Sequence, residues 1–315
     1  MGFSVALIGE CMIELQEVEP GKTQQTFGGD TLNAAIYMTR LGGYFPVRVD
    51  YVTALGCDSF SDRMVEFWEL EGVGSSLVLR EKDEMPGLYY IQLDEDGERH
   101  FSYWRGESAA KKNFEYQGGQ EVLDRLGEYD AVYLSGISIA ILTPASRERL
   151  FKRLAQLAAN GTKICLDYNY RPHLWKSNDE GRKAYEAILP YCDTVFVGID
   201  ELVAIHAVSS GASGHNYLEE KGVKESVIRR GSEPCSIQAR GQKFEVAAET
   251  VARVVDTTAA GDSFSAAYIL ARNSGCDVSK AARIAHRMAA YVIVHKGAIA
   301  PVSAMPVFDD ILEQK

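Results

Sequence analysis

Long apolar runs are absent from this chain. None approaches the roughly 20 residues that a membrane-spanning helix requires, so no membrane partner is expected. Positive charge is in short supply as well. With 33 Lys and Arg against 44 Asp and Glu, the formal net charge is -11, which argues against a nucleic-acid binder, because such a protein needs a basic footprint. Any anionic ligand must instead meet locally placed arginines or backbone donors. Close cysteine pairs are missing too. Cys11, Cys57, Cys165, Cys192, Cys235 and Cys276 are scattered, several in apolar runs where the thiol behaves as a small hydrophobe. The six histidines show no metal-ligand spacing. The opening stretch, Phe3 to Glu10, has no basic leader and soon meets an acid, so it reads as a buried first strand and not a signal peptide. Together these absences point to the reducing cytoplasm. The familiar nucleotide signatures are also missing: no G-x-x-x-x-G-K-S/T loop, no G-x-G-x-x-G and no protein-kinase catalytic loop. A protein that handles phosphate with this sequence must do so by another device.

What remains is an ordinary globular composition, 46% hydrophobic and 24% charged. At 315 residues it suffices for one large α/β domain or two smaller ones. Short β-rich runs alternate with amphipathic helical stretches. The expected strands are 5–9, 49–54, 131–135, 163–168, 194–197 and 226–228. The expected helices are 31–41, 60–70, 145–159, 179–189, 263–273 and 279–295. Thr143-Pro144 is a good helix start, and Asn160-Gly161-Thr162, formally a glycosylation sequon, reads better as a helix stop. Such alternation predicts a mostly parallel sheet covered on both faces, with ligands beyond the carboxyl ends of its strands. Two hairpins interrupt it. One pairs 87–93 with 99–105 around Asp94-Glu95-Asp96-Gly97 and carries Tyr and Arg, as a lid would or as a sheet-edge embellishment would. The other pairs 235–239 with 243–247. No linker marks a second domain, so residues 1–315 are expected to form one domain with the first hairpin as an insertion around 87–106.

The most informative stretch is Asp256-Thr257-Thr258-Ala259-Ala260-Gly261-Asp262, which leads into a helix. Gly261 and its small neighbours let backbone N–H groups crowd at the helix start, where unpaired donors and the dipole favour an anion. A carboxylate set inside an anion site makes sense if Asp262 takes a proton from a substrate hydroxyl while the N–H groups stabilise a transferring phosphoryl group; the plain alternative is a helix-capping acid. Gly28-Gly29-Asp30-Thr31-Leu32-Asn33 again places glycines and polar side chains before a helix, and Asp30 and Asn33 suit vicinal sugar hydroxyls. After the strand at 163–168, alternation aims Asp167, Asn169 and Arg171 one way, with Arg171 a candidate anion ligand or a surface salt bridge. Arg105, framed by Tyr103 and Trp104, suits a carboxylate bidentately. Ile228-Arg229-Arg230-Gly231 ends a strand with two bases and a glycine, suited to nucleotide phosphates. Glu201, after the strand at 194–197, is either a holder of a magnesium-bound water or a helix-start acid.

The segments at 28–33 and 256–262, their separation and the alternating order resemble the two signatures of the ribokinase-like (PfkB) carbohydrate kinases, over essentially the whole chain. Gly9-Glu10-Cys11-Met12-Ile13-Glu14-Leu15, Tyr51 to Gly56, Pro86 to Tyr90, Leu134 to Ser138 and Asn169 to Trp175 most resemble the members that act on 2-keto-3-deoxygluconate. That resemblance implies a three-layer α/β/α sandwich with a small β-sheet lid over the sugar, and ATP with Mg2+ in the neighbouring groove. It implies Asp262 as catalytic base and the amides of Ala259, Ala260, Gly261 and Asp262 as the anion hole. Gly29, Asp30 and Asn33 would hold the sugar, with Tyr89, Tyr103 and Arg105 closing from the lid. Arg171 would lie between substrate and phosphate, and Asn169, Arg230 and Gly231 would contribute to the ATP side. Many relatives carry a magnesium-associated Asn-x-x-Glu where this chain has Gly198-Ile199-Asp200-Glu201, which keeps the acid and loses the Asn. The implied partners are a sugar acid and ATP. Fructose is the rival substrate and a non-catalytic sugar-binding regulator the rival class. The open edge of a lid sheet also invites pairing into a dimer.

Overall fold

The computed structural model describes residues 2–19, 21–93, 99–208 and 210–313. Its larger sheet has nine strands: β1 (Phe3–Ile8), β4 (Val47–Gly56), β5 (Gly74–Glu81), β8 (Ala131–Ser135), β9 (Lys163–Asp167), β10 (Thr194–Gly198), β11 (Glu225–Arg229), β12 (Cys235–Ala239) and β13 (Gln242–Val246). They lie in the order β13-β12-β11-β10-β9-β8-β1-β4-β5, parallel from β11 to β5, with β12 and β13 forming an antiparallel margin. The smaller sheet joins β2 (Met12–Glu19), β3 (Lys22–Gly28), β6 (Leu88–Leu93) and β7 (Arg99–Trp104) in the order β3-β2-β6-β7. The polar turn expected between the last two lies outside the described residues.

The helices are α1 (Asp30–Arg40), α2 (Ser59–Leu70), α3 (Gly119–Arg125), α4 (Gly136–Ile141), α5 (Pro144–Ala159), α6 (Asn178–Ile188), α7 (Ile199–His206), α8 (Gly211–Glu220), α9 (Ala260–Asn273), α10 (Val278–Ile293) and the single turn α11 (Asp309–Leu312). Two hydrophobic cores, one on each sheet face, make the three-layer α/β/α arrangement. The period of two along the buried strand β1 assigns its side chains: Val5 and Leu7 join one core, Ala6 and Ile8 the other. On the first face lie Leu32 and Tyr37 of α1, Trp68 of α2 and Phe264 and Tyr268 of α9; on the second, Leu150 of α5, Tyr185 of α6 and Leu218 of α8.

The expected strands and helices are all present, with ends shifted by a few residues. Thr143 caps α5 through its hydroxyl, Pro144 opens that helix, and Gly161 at φ 92 follows its end. The sequence reading assigned no strand to 12–28. Ile13 and Leu15 alternate there with Glu14 and Gln16 and pack on the core, but the alternation is too short to stand out before the polar stretch that follows, and it is pairing that shows β2 beside β6 and β3 beside β2. The hairpin at 87–106 is therefore half of a four-stranded sheet whose other half lies between β1 and α1. The carboxyl ends of β1, β9, β10 and β11 and the amino ends of α1 and α9 all open under this sheet.

Candidate active site

A cavity of about 610 Å³ lies between the small sheet and those strand ends, within the range of small-molecule sites. Asp262 stands in the first turn of α9 and lines it. The turn is built by its neighbours. Asp256 accepts from the Thr258 amide (3.1 Å) and hydroxyl (2.7 Å) with one oxygen and from the Gly297 amide (2.7 Å) with the other. Ala259 adopts a left-handed φ of 61 and caps the helix without any side-chain hydrogen bond. The Ala260 amide donates to the Thr257 carbonyl at 3.2 Å, whereas the amides of Gly261 and Asp262 have no backbone acceptor among the described residues. These first-turn N–H groups face the cleft end at which the helix dipole favours negative charge.

Burial pushes the Asp262 carboxyl up to about 8. The nearby Asp30 charge adds to the shift, and the hydrogen bond from Asn33 opposes it. Asn33 donates its side-chain N–H to Asp262 Oδ2 at 2.9 Å, and its own Oδ1 is buried without a partner among the described residues. Asp30 accepts the Thr31 amide (2.9 Å) and the Asn169 side-chain N–H (2.7 Å). Asn169 reaches it from a left-handed φ of 34, tolerable for this side chain. Gly29 precedes α1 where a methyl would collide with the Glu10 carbonyl oxygen, so only glycine fits.

Beneath the cleft, Arg229 forms a two-pronged pair with Asp167 (2.6 and 2.9 Å) and also donates to the Gly261 carbonyl at 3.1 Å. Ser265 adds a bond to Asp167 at 2.8 Å. Burial disfavours the Arg229 charge, but the Asp167 carboxylate outweighs it and lifts the guanidinium above its ordinary range. A methyl on Gly261 would come within 2.8 Å of Arg229 Nη1. The sequence reading placed Arg230 and Gly231 at the nucleotide. In the structure Arg230 turns away to Glu245 and the Pro234 carbonyl, and neither it nor Gly231 lines the cavity; Arg229 does. Alternation explains this, since Arg229 shares the face of Val227, on which α9 packs.

Glu201 lines the cavity, and its two oxygens accept the amides of Tyr170 (2.7 Å) and Gly198 (2.6 Å). It thus closes the start of α7, and burial raises its pKa, with Arg229 opposing. Among the described residues no group of three or more His, Cys, Asp or Glu side chains is arranged to hold a metal ion.

From the small sheet, Tyr89, Phe101, Tyr103 and Arg105 face the cavity. Tyr103 stacks on His173 with centroids 6.2 Å apart and sits 5.9 Å from the Tyr89 ring. The Tyr89 hydroxyl donates to Glu14, which also accepts from Thr26 at 2.9 Å. Arg105 is ion-paired with Glu10, whose role the sequence did not disclose. Arg171 is exposed at the rim, and its one recorded bond goes to the neighbouring Tyr170 carbonyl at 3.2 Å. The geometry therefore gathers Asp262, Ala259, Gly261, Gly29, Asp30, Asn33, Tyr89, Tyr103, Arg105, Asn169, Arg171 and Glu201 around one cavity. It adds Glu10, Asp167 and Arg229.

A half-buried carboxylate beside helix-start amides that lack a backbone acceptor among the described residues, under a small sheet on a doubly covered parallel one, defines a sugar kinase of the ribokinase type. The family model described as pfkB family carbohydrate kinase matches residues 3–305, and the chain belongs to that family. The 2-dehydro-3-deoxygluconokinase of Escherichia coli is 43% identical over 309 residues, 97% of this chain and 100% of that protein. Its counterpart in Dickeya dadantii is 43% identical over 306 residues, 96% of this chain and 98% of that one. A solved fructokinase with bound ATP from Xylella fastidiosa matches with a TM-score of 0.82 at 22% identity, covering 98% of this chain and 97% of that one. That likeness speaks to the fold. No helix among the described residues is long and apolar enough to cross a membrane.

Proposed function

We propose that this protein is an ATP-dependent kinase of 2-keto-3-deoxygluconate (2-dehydro-3-deoxygluconate), phosphorylating its 6-hydroxyl and releasing ADP. The observation that carries the reading is the position of Asp262, a proton-hungry carboxylate beside the free amides of α9 and in one cavity with Arg105 and Arg171. The 43% identity to relatives named 2-dehydro-3-deoxygluconokinase supports the same substrate. So does chemistry: Arg171 has no carboxylate partner recorded among the described residues, and a sugar acid supplies one where fructose does not.

In this reading Gly29, Asp30 and Asn33 hold the sugar, with a hydroxyl donating to the unpartnered Asn33 Oδ1. Tyr89 and Tyr103 cover it. Asp262 takes the proton of the 6-hydroxyl as the new O–P bond forms, while the bond to ADP breaks and ADP leaves with the electron pair. A raised pKa near neutrality suits that base, whose share of the acceleration is about 10²–10⁴-fold. The amides of Ala259, Gly261 and Asp262 stabilise the migrating group, and Arg229, through the Gly261 carbonyl, fixes the turn that aims them. Magnesium in such sites keeps several waters and leans on substrate phosphates, so Glu201, with both oxygens already bonded to amides, suits a water-mediated contact; the ion would neutralise phosphate charge. Trp104, exposed on the edge strand β7 and outside the cavity lining, supports a dimer through the small sheet, testable by light scattering.

The test is a purified-enzyme assay of ATP against 2-keto-3-deoxygluconate, fructose and ribose. The reading expects the keto acid to have the highest kcat/KM; a preference for fructose would favour the neutral hexose, and no turnover with any sugar would favour a non-catalytic binder.

A further inference from the structure

Four times the chain crosses between the large and small sheets, and all four crossings meet at one residue, Glu10. Glu10 sits on the first, between β1 and β2, with only 2% of its side chain exposed. On the second, between β3 and α1, Gly29 packs against its carbonyl oxygen. On the third, entering β6, Gly87 lies where a methyl would come within 2.7 Å of Glu10 Oε1. On the fourth, leaving β7, Arg105 pairs with Oε2 and the Ser108 hydroxyl donates to Oε1. The Ser108 segment is tied in turn to the third crossing by the Ala109 amide donating to the Met85 carbonyl at 2.9 Å. Both Glu10 oxygens are thus taken by the strand exit that carries Arg105. Arg105 keeps an Nε that is buried without a partner among the described residues, and it lines the cavity.

A carboxylate this deeply buried is costly unless paired, and removing one member of such a pair is strongly destabilising. A single ionised residue at a four-way junction is an expensive way to hold a lid that apolar packing would also hold. Its distinctive effect is directional, because a planar fork gripped at one nitrogen has its remaining N–H groups fixed in space. We propose that Glu10 is a positioning residue for the sugar acid: it locks the small sheet onto the large one and presents the Arg105 fork at the orientation that reads the substrate carboxylate. This rests on the sugar-acid reading above. Glu10 touches neither reacting oxygen, so its influence passes through Arg105.

The experiment is a double-mutant cycle of Glu10→Gln and Arg105→Ala, reading the KM for 2-keto-3-deoxygluconate, the KM for ATP, kcat and Tm. Gln keeps the shape and the bond to Ser108 and loses the charge. The expected outcome is that Glu10→Gln raises the sugar-acid KM about tenfold in the wild-type background, the size of an ordinary pairwise coupling. It should leave the ATP KM within about twofold, and in the Arg105→Ala background it should raise the sugar KM no further. Glu10→Asp, which keeps the charge on a shorter arm, should recover part of the loss. An equal rise of sugar KM in both backgrounds, or of sugar and ATP KM together, would overturn the proposal. Should Glu10→Gln fail to fold, Ser108→Ala, which removes only the second grip on Glu10, must reproduce the selective rise in smaller form, or the proposal fails. If the wild-type enzyme shows no preference for the keto acid, the substrate reading falls first; a keto-acid-specific wild type with an indifferent Glu10→Gln defeats this inference alone.

Discussion

Asn33 donates its side-chain N–H to Asp262 across 2.9 Å, joining two residues 229 positions apart in sequence. The bond links the first turns of α1 and α9, two helices whose amino ends open into the cavity. It stabilises the charged form of Asp262, while burial and Asp30 oppose that charge and win, lifting the pKa to about 8.

Stability follows from that balance. Between the ordinary carboxylate range and about 8 the folded protein keeps a proton on Asp262 that the unfolded chain has released. The contribution is therefore fully present at acid pH and is lost as pH rises through the folded pKa. Asp262→Asn removes the titration. Its Tm should exceed that of the wild type by about 2 °C or more at pH 9 and by less at pH 5, in melts without substrates.

Catalysis has the opposite sign, because the base must be deprotonated. The kcat/KM profile of the wild type should rise with pH on an acid limb well above the carboxylate range, as expected for a free-enzyme group near 8. Asn33→Ala removes the donor that favours the carboxylate and should move this limb to higher pH. A limb near 4 in both proteins would contradict the upward shift of the Asp262 carboxyl by burial.

The Arg229–Asp167 pair holds the α9 turn from below. Arg229→Ala leaves the buried Asp167 carboxylate with Ser265 as its one remaining side-chain partner among the described residues, and losing one partner of a buried pair costs about 3–5 kcal/mol. Thermal melts should show a clear fall in Tm. Gly261→Ala is the gentler probe, since its methyl would press on Arg229 Nη1 at 2.8 Å. Here kcat should fall at least about tenfold with little change in sugar affinity, because the amides that stabilise the transferring group are displaced.

Arg105 and Arg171 should separate sugar from nucleotide. Arg171→Ala and Arg105→Ala are each expected to raise the KM for the keto acid by about tenfold or more, the scale of a charged hydrogen bond, and to change the KM for ATP far less. An unchanged sugar KM in both variants would favour a neutral sugar.

Much of this was legible in the sequence because it is local. Gly261 before Asp262 and Gly29 before Asp30 announce helix starts open to a ligand, and the apolar runs of β1, β8 and β9 announce a buried parallel sheet. What escaped the reading depends on tertiary pairing. Glu10 meets Arg105 across 95 residues, and nothing near either in sequence hints at the other. Arg229 and Arg230 look interchangeable until the face of β11 is known. In strands β2 and β3 the apolar alternation is confined to Ile13-Glu14-Leu15-Gln16, and the polar run that includes Gln24 and Gln25 leaves it too short to announce two strands. Helix α8 contains Gly211 and Gly214, poor helix formers, and depends on the Ser210 and Ser213 capping box.

The central claim is tested most directly by a single-turnover measurement with Asp262→Asn, saturated with ATP, magnesium and 2-keto-3-deoxygluconate. The account predicts phosphoryl transfer slowed about 10²–10⁴-fold, with both substrates still binding at near wild-type affinity. Transfer at close to the wild-type rate would contradict it.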